Sequence, residues 1–168
     1  MTTTDDQPIA ATLATVLAEG GDDAVRRIGE ACLATLAVDR AAITVLTGDG
    51  RREPVWAGDD AARDLDGLQF RLGEGPCVDA FAGPDPVHVP DLADVPPHRW
   101  PVFAGTAIRT GVRGVHVVPL HVGATVVGIL ALYRDEPGML RPEDLAGAQR
   151  VADAALWTLL TRPERGAR

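Results

Sequence analysis

The sequence predicts an α+β fold built on one antiparallel sheet that is covered on both faces. Two runs rich in Val, Ile and Leu, residues 114–122 and 125–134, are separated only by Gly123 and Ala124, which is the pattern of a β-hairpin. Both alternating sets of the second run are apolar, whereas a sheet open to water on one side alternates apolar with polar residues. Amphipathic helical patterns flank the strands at both ends of the chain.

Length and composition indicate a single globular domain. The chain has 168 residues, of which 46% are hydrophobic and 24% are charged. We expect flexible tails at residues 1–7 and 162–168, and one domain over residues 8–161 that includes the N- and C-terminal helices. No apolar run approaches the roughly 20 residues that span a bilayer, so we expect no membrane partner.

Charge and cysteine content exclude several classes of function. The net charge is −8, which argues against nucleic acid or an anionic membrane as the main partner. All sixteen basic residues are arginine, which excludes a Schiff base and a P-loop lysine. Two cysteines are too few for a disulfide framework and suit a reducing cytoplasm.

The first half of the chain predicts two helices, two strands and a third helix. Ile9, Leu13, Val16 and Leu17 recur at helical spacing until Gly20 and Gly21 break the run. A second helix follows from about residue 22, with one apolar stripe: Val25, Ile28, Cys32 and Leu36. Strands are predicted at residues 41–47 and 54–57, and a helix at residues 59–69.

The second half contains the strongest β pattern. A short strand at residues 86–89, a proline-interrupted loop at 91–99 and a helix at 101–110 precede the hairpin. In the last strand we place Val126 with Leu130 and Leu132 on one face, and Val127 with Ile129 and Tyr133 on the other.

The final helix begins at Pro142, where Glu143 and Asp144 complement the helix dipole. Its apolar residues step by three and four: Leu145, Ala148, Ala152, Leu156 and Leu159. This heptad-like seam, together with the stripe around Val25, either pairs terminal helices, within the chain or across a dimer, or docks the last helix on its own sheet.

The glycine-flanked turn Gly73–Cys77 brings the largest set of reactive groups to one point. Gly73 and Gly75 tolerate positive φ, and Pro76 suits the first position of a short helix. Cys77 then lies in the first helical turn, where the unpaired amides favour a thiolate. Cys77 is therefore either a packed, inert thiol or a redox group.

A ligand pocket is predicted from larger side chains around the long loop. Five of the seven aromatic residues precede Gly105: Trp56, Phe70, Phe81, Trp100 and Phe103. The polar candidates at its rim are Glu74, Asp91 and Arg113, with Cys77 beside them. The alternative is that the aromatics form a minor core that closes the second face of the sheet.

The histidines predict no metal site, because His88, His98, His116 and His121 lack metal-ligand spacing. We find no catalytic triad and no paired carboxylates, and the sequence identifies no cofactor.

Several motifs occur in an order that resembles a GAF domain, of the type found in actinobacterial GAF–ANTAR regulators. They are Gly73–Cys77, Val89–Leu92, Arg99–Pro101 with Phe103, Val118–Leu120, Gly128–Leu130 and Leu140–Asp144. The resemblance covers roughly residues 22–160. It implies a PAS-like central antiparallel sheet, with terminal helices on one face and a loop-and-short-helix ligand pocket on the other.

The resemblance also implies a non-enzymatic sensor in signal transduction or transcriptional regulation, which binds a small molecule or a partner protein. It implies a homodimer through the terminal helices. We expect the ANTAR module to be missing and the signal to pass to a separate output protein.

The sequence leaves two alternatives open. One is a thiol-based redox protein using Cys77, similar to free methionine sulfoxide reductases, although Cys32 is the only other cysteine. The other is a structural dimerisation module whose terminal helices recruit a partner.

Overall fold

A computed structural model describes residues 7–162, in which helices and strands follow the predicted order. The helices are α1 (Gln7–Glu19), α2 (Ala24–Thr35), α3 (Asp60–Leu72), α4 (Pro76–Ala80), α5 (Phe103–Arg109) and α6 (Pro142–Thr161). The strands are β1 (Arg40–Leu46), β2 (Arg52–Ala57), β3 (Val87–Val89), β4 (Gly114–Val122) and β5 (Thr125–Arg134). The tails predicted at residues 1–7 and 162–168 lie outside the described residues, apart from Gln7, which begins α1, and Arg162, which follows α6.

The five strands form one antiparallel sheet in the order β2-β1-β5-β4-β3. β5 lies at the centre, and the β4–β5 hairpin turns at Gly123, whose φ of 61° is left-handed. Glycine adopts that conformation at little steric cost. The predicted α+β class and the predicted hairpin are confirmed.

Helices α1, α2 and α6 cover one face of the sheet, which we call the helix face. The α2 stripe is buried there, with Ile28 and Cys32 fully inaccessible. Ala148 and Ala152 of α6 belong to the same core. The heptad-like seam therefore packs within the chain, against both the other terminal helices and the sheet, so two of its three predicted uses are found together.

Helices α3, α4 and α5 cover the opposite face, which we call the loop face. Its core contains Leu65 of α3, Phe103 of α5 and Ile129 of β5. Ile129 and Leu130 are neighbours on β5, both fully buried, yet they belong to opposite cores. The prediction that the sheet is covered on both sides is confirmed.

One predicted orientation is wrong. Val127 packs with Leu130 and Leu132 on the helix face, and not with Ile129. The β4–β5 register shifts here: Leu120 pairs with Gly128 and His121 with Val126, which leaves Val127 as the extra residue of a bulge. A bulge reverses the alternation of side chains beyond it.

None of the helices between residues 7 and 162 is long and apolar enough to cross a bilayer.

Candidate ligand-binding site on the loop face

A group of buried polar side chains lies inside the loop-face core. Asp66 and Gln69 of α3, Cys77 of α4, Thr44 of β1 and Tyr133 of β5 are each at most 3% exposed. We call these five residues the polar cluster. Buried polar groups are stable only when they bond to one another or to the backbone, and the cluster meets this requirement.

Asp66 is the main acceptor of the polar cluster. The hydroxyl of Tyr133 donates to Asp66 Oδ1, and Thr44 Oγ1 donates to Asp66 Oδ2 at 3.2 Å. Cys77 Sγ lies 3.9 Å from Asp66 Oδ1 and 3.7 Å from the Tyr133 hydroxyl.

Gln69 connects the cluster to the backbone. Its Nε2 donates to the Tyr133 hydroxyl at 3.1 Å and to the Leu65 carbonyl at 3.2 Å. Its Oε1 accepts from the Cys77 amide at 2.7 Å. Both ends of the amide are therefore bonded, which holds α3, α4 and β5 together.

Burial sets the protonation of the cluster. Burial raises the pKa of Asp66 to about 6, although hydrogen bonds from Tyr133 and Thr44 oppose the shift. Burial, and then the charge of Asp66, raise the pKa of the Cys77 thiol well above its ordinary value. Cys77 therefore remains a protonated thiol at neutral pH, and the amide at the start of α4 bonds to Gln69 without activating the sulfur.

Gly75 explains why the turn before α4 contains glycine. Its φ is 126°, and a Cβ at this position would lie 2.5 Å from Gln69 Oε1. Gly73 ends α3 with a φ of 71°. The positive φ predicted for both glycines is confirmed. Asp66 and Gln69 were not among the predicted site residues, and in the sequence their signal is their position beside Leu65 on the buried side of α3.

Glu74 was predicted at the rim of a pocket, and the structure places it at the start of α5. Its Oε2 accepts from the amides of Val102 and Phe103, both at 2.9 Å. These amides have no partner within the helix, so a carboxylate stabilises them as a cap.

Asp91 and Arg113 form a two-point ion pair. Arg113 Nε lies 2.9 Å from Asp91 Oδ1, and Arg113 Nη2 lies 2.7 Å from Asp91 Oδ2. Asp91 Oδ1 also accepts from the Ala93 amide at 3.0 Å, at the start of a single 3₁₀ turn. The bond from Arg113 holds the pKa of the Asp91 carboxyl below its usual range. The pair anchors the long loop to the start of β4.

The predicted aromatic residues divide into three places. Trp100 and Phe103 are buried in the loop-face core. Phe70 and Phe81 meet edge to face, 6.0 Å between ring centres, with the Arg52 guanidinium 4.9 Å from the Phe81 ring. The prediction that Trp56 joins the other aromatic residues around the pocket is wrong. Trp56 packs on the helix face, where a Cβ at Gly29 would lie 2.6 Å from its ring.

A half-open groove of about 370 Å³ lies between α3 and α5 on the loop face. Its apolar lining includes Leu65, Leu68 and Val112, and its polar lining includes Asp64 and Arg71. None of the predicted ligand-binding residues lines it. The α3 residues share one helical face, because they recur at intervals of three and four. Volume and lining are those of a small-molecule site.

A histidine pair lies at the β3–β4 edge. Antiparallel pairing sets His88 opposite His116, with their Nδ1 atoms 2.9 Å apart. Burial, and then the neighbouring His88, lower the pKa of His116 to about 4. This pair was not predicted, because the spacing of the two histidines in the sequence does not reveal the register of the strands. Within residues 7–162, no three His, Cys, Asp or Glu side chains form a group that could hold a metal.

The two cysteines are free, buried and in opposite cores. Cys32 lies in the helix-face core and Cys77 in the loop-face core. Burial raises the pKa of Cys32 to about 12. A reductase that resolves an oxidised thiol with a second cysteine in one pocket requires a different placement.

Comparison with protein families finds the GAF domain, matched over residues 21–159. No curated protein is similar enough in sequence to count as a relative.

Solved structures share the fold at low sequence identity. The GAF domain of a phosphoenolpyruvate-protein phosphotransferase from Coxiella burnetii superposes with a TM-score of 0.70 at 15% identity, and 95% of each chain is covered. An N-acylhomoserine lactone dependent LuxR family transcription factor, CepR2 from Burkholderia cenocepacia, superposes with a TM-score of 0.70 at 20% identity. The match covers 94% of this chain and 97% of that chain. A domain of a putative two-component sensor histidine kinase from Sinorhizobium meliloti superposes with a TM-score of 0.65 at 20% identity. The match covers 83% of this chain and 91% of that chain.

Proposed function

The chain belongs to the GAF domain family, and on that premise we propose that it is a non-enzymatic cytoplasmic sensor that binds a small molecule in the groove between α3 and α5. GAF domains are sensory and regulatory domains that bind small molecules. The observation that supports this site is the groove itself, because its lining combines apolar with charged side chains on the loop face. Two buried free cysteines suit the reducing cytoplasm.

The signal would leave the groove through α3. Leu65 lines the groove, and the next residue, Asp66, accepts from Tyr133 of the central strand. On the other side of that strand, Leu130 and Leu132 pack in the core that contains α6. A ligand that prefers one position of α3 would shift the population of α6 positions through these contacts.

The predicted ligand-binding residues take supporting roles in this proposal. Glu74 positions α5, Cys77 fills the core beside Asp66, and the Asp91–Arg113 pair holds the loop. The order of sequence motifs further supports a regulator of the GAF–ANTAR type, which would pass its signal to a separate output protein.

A thermal-shift screen of the purified chain against metabolites tests the proposal, with and without reductant. We expect one chemical class to raise Tm, because binding to the folded state alone stabilises it. Leu68→Trp fills the groove and should abolish the shift. Leu72→Trp is the matched control, since Leu72 is exposed on the same helix and does not line the groove. A library with no hit, or a hit that Leu68→Trp retains, would contradict this site.

The redox alternative predicts a different result. Cys77→Ser keeps the size of the side chain and removes the thiol, so a sensor with a packing cysteine should keep its ligand response. A response that depends on reductant and disappears in Cys77→Ser would favour a thiol-based function instead.

Homodimerisation through the terminal helices is a second proposal with its own observation. Leu17 of α1 is 37% exposed, and Trp157 and Leu160 of α6 are 60% and 58% exposed. Trp157 and Leu17 also line one groove of about 340 Å³. Exposed aromatic residues are characteristic of association surfaces.

Sedimentation analysis of Trp157→Asp tests this second proposal. We expect a dimer that this change dissociates. Val122→Asp is the control, since Val122 is 54% exposed on the distant hairpin. A wild-type monomer at all concentrations would contradict dimerisation.

A further inference from the structure

The charges of the groove between α3 and α5 do not cancel within the protein. Asp64 and Arg71 line this groove, both are exposed to solvent, and neither makes an ion pair within residues 7–162. Arg40 also lines it but is already neutralised, because its Nη1 lies 2.7 Å from Asp135 and its Nε lies 3.6 Å from Asp59. One negative and one positive charge therefore remain for a ligand.

The two free charges lie at different points along α3. Seven residues separate Asp64 from Arg71, which is a rise of roughly 10 Å at 1.5 Å per residue. Arg71 points back along the helix, since a Cβ at Gly67 would lie 3.1 Å from Arg71 Nη1. The guanidinium thus reaches to within about three residues of Asp64, a rise of roughly 5 Å. A complementary ligand carries opposite charges about 5 to 10 Å apart.

Apart from Arg40, the rest of the groove lining is apolar with two hydroxyls, those of Thr106 and Thr110. Thr106 Oγ1 donates to the Val102 carbonyl and already accepts from Arg109 Nη2 at 3.2 Å. Leu65, Leu68 and Val112 contribute the apolar part. Thr110 lies on the opposite wall, and its hydroxyl donates to the Ala107 carbonyl at 2.7 Å. Since its only hydrogen is used, Thr110 Oγ1 offers lone pairs alone and can accept from a ligand N–H.

We propose that this groove binds a short peptide with free termini, of dipeptide length and with apolar side chains. The ammonium pairs with Asp64, the carboxylate with Arg71, and the peptide N–H bonds to Thr110. Two extended residues span about 7 Å, which matches the separation of the charges. The inference rests on the proposed function, because it names the ligand class of the same site.

Calorimetric titration with leucyl-leucine tests the inference, alongside its N-acetylated and C-amidated forms. We expect saturable binding of the free dipeptide, and binding at least about tenfold weaker for each blocked form, because each loses a charge-assisted hydrogen bond. Asp64→Asn should weaken binding of the free dipeptide by a similar factor. This variant should then bind the free and the N-acetylated dipeptide with equal affinity. Arg71→Gln should do the same for the C-amidated form.

Asp60→Asn and Arg63→Gln are the matched controls. They lie on the same helix, are exposed, pair with each other at 3.2 Å and do not line the groove. Both should bind leucyl-leucine as the wild type does.

The outcomes separate this inference from the proposed function. Absence of saturable dipeptide binding overturns the inference, as does binding indifferent to Asp64→Asn and Arg71→Gln. If another chemical class binds and Leu68→Trp abolishes that binding, the proposed function stands and the inference fails. If no compound of any class binds the groove, both fail.

Discussion

The two faces of the sheet are stabilised by different chemistry. On the helix face, α1, α2 and α6 bury a mainly apolar core that includes Ile28, Leu130 and Val151, and His116 is buried on the same face. On the loop face, a core of similar burial encloses Asp66 and the four other side chains of the polar cluster. An apolar core tolerates exchange of one hydrophobic residue for another, whereas a polar cluster requires each donor to meet its acceptor. The loop face is therefore where the fold is most specific.

The comparison is tested first with adjacent residues of β5. Leu130→Ala and Ile129→Ala each remove a fully buried side chain, on opposite faces. Each should lower the free energy of unfolding by about 2 to 5 kcal/mol in urea denaturation. Labelling of the thiols, read by mass spectrometry, should be faster at Cys32 in Leu130→Ala and at Cys77 in Ile129→Ala. Equal labelling of both cysteines in both variants would show that the two faces open together.

Gly75→Ala is expected to be the next most damaging change. It places a side chain at positive φ and 2.5 Å from Gln69 Oε1, so it should cost about 2 to 4 kcal/mol. Gly83→Ala is the control, because a Cβ there meets nothing within 4 Å and its φ is ordinary. Thermal unfolding that is the same in both variants would contradict the role of Gly75.

The two faces also predict opposite pH dependence. Burial raises the pKa of Asp66 in the folded state to about 6, above its unfolded value. Its contribution to the free energy of unfolding is therefore fully present below about pH 4 and is lost as pH rises through about 6. Burial lowers the pKa of His116 in the folded state to about 4. Its contribution to the free energy of unfolding is therefore fully present above about pH 6.5 and is lost as pH falls toward about 4. Strand alternation places His116 on the helix face with Val118 and Leu120.

Urea unfolding between pH 4 and 7.5 separates these contributions. Between pH 7.5 and pH 4, the free energy of unfolding of the wild type should rise by about 2 to 3 kcal/mol relative to that of Asp66→Asn. The difference between wild type and His116→Asn should shift by a similar amount in the opposite direction. A difference that is constant with pH for either variant would rule out that residue as the titrating group.

The smallest effect is expected at the start of α5. Glu74→Gln replaces a charged acceptor of two amides by a neutral one, and should cost about 0.5 to 1 kcal/mol. Glu53→Gln on the exposed edge strand β2 is the control and should leave stability unchanged. An equally large loss of stability in Glu53→Gln would contradict a capping role for Glu74.

The sequence alone determined the helix face and the order of the elements. The α2 stripe, the β4–β5 hairpin and the start of α6 at Pro142 are local patterns, since periodicity and turn residues act within a few positions. The sheet covered on both faces also followed from the sequence, because every other residue of β5 is apolar on each side. The GAF resemblance was recognisable for the same reason, as its motifs are short and ordered.

Only the tertiary structure decided the candidate site. Asp66 and Tyr133 are 67 residues apart, and nothing local to either predicts their hydrogen bond. Trp56 lies on the helix face because Gly29 of α2 leaves room for its ring, and Val127 changes face because of a bulge. Both depend on neighbours that the fold supplies. A groove between α3 and α5 exists only once two separate helices pack on one sheet, so its charges could not be read from either helix by itself.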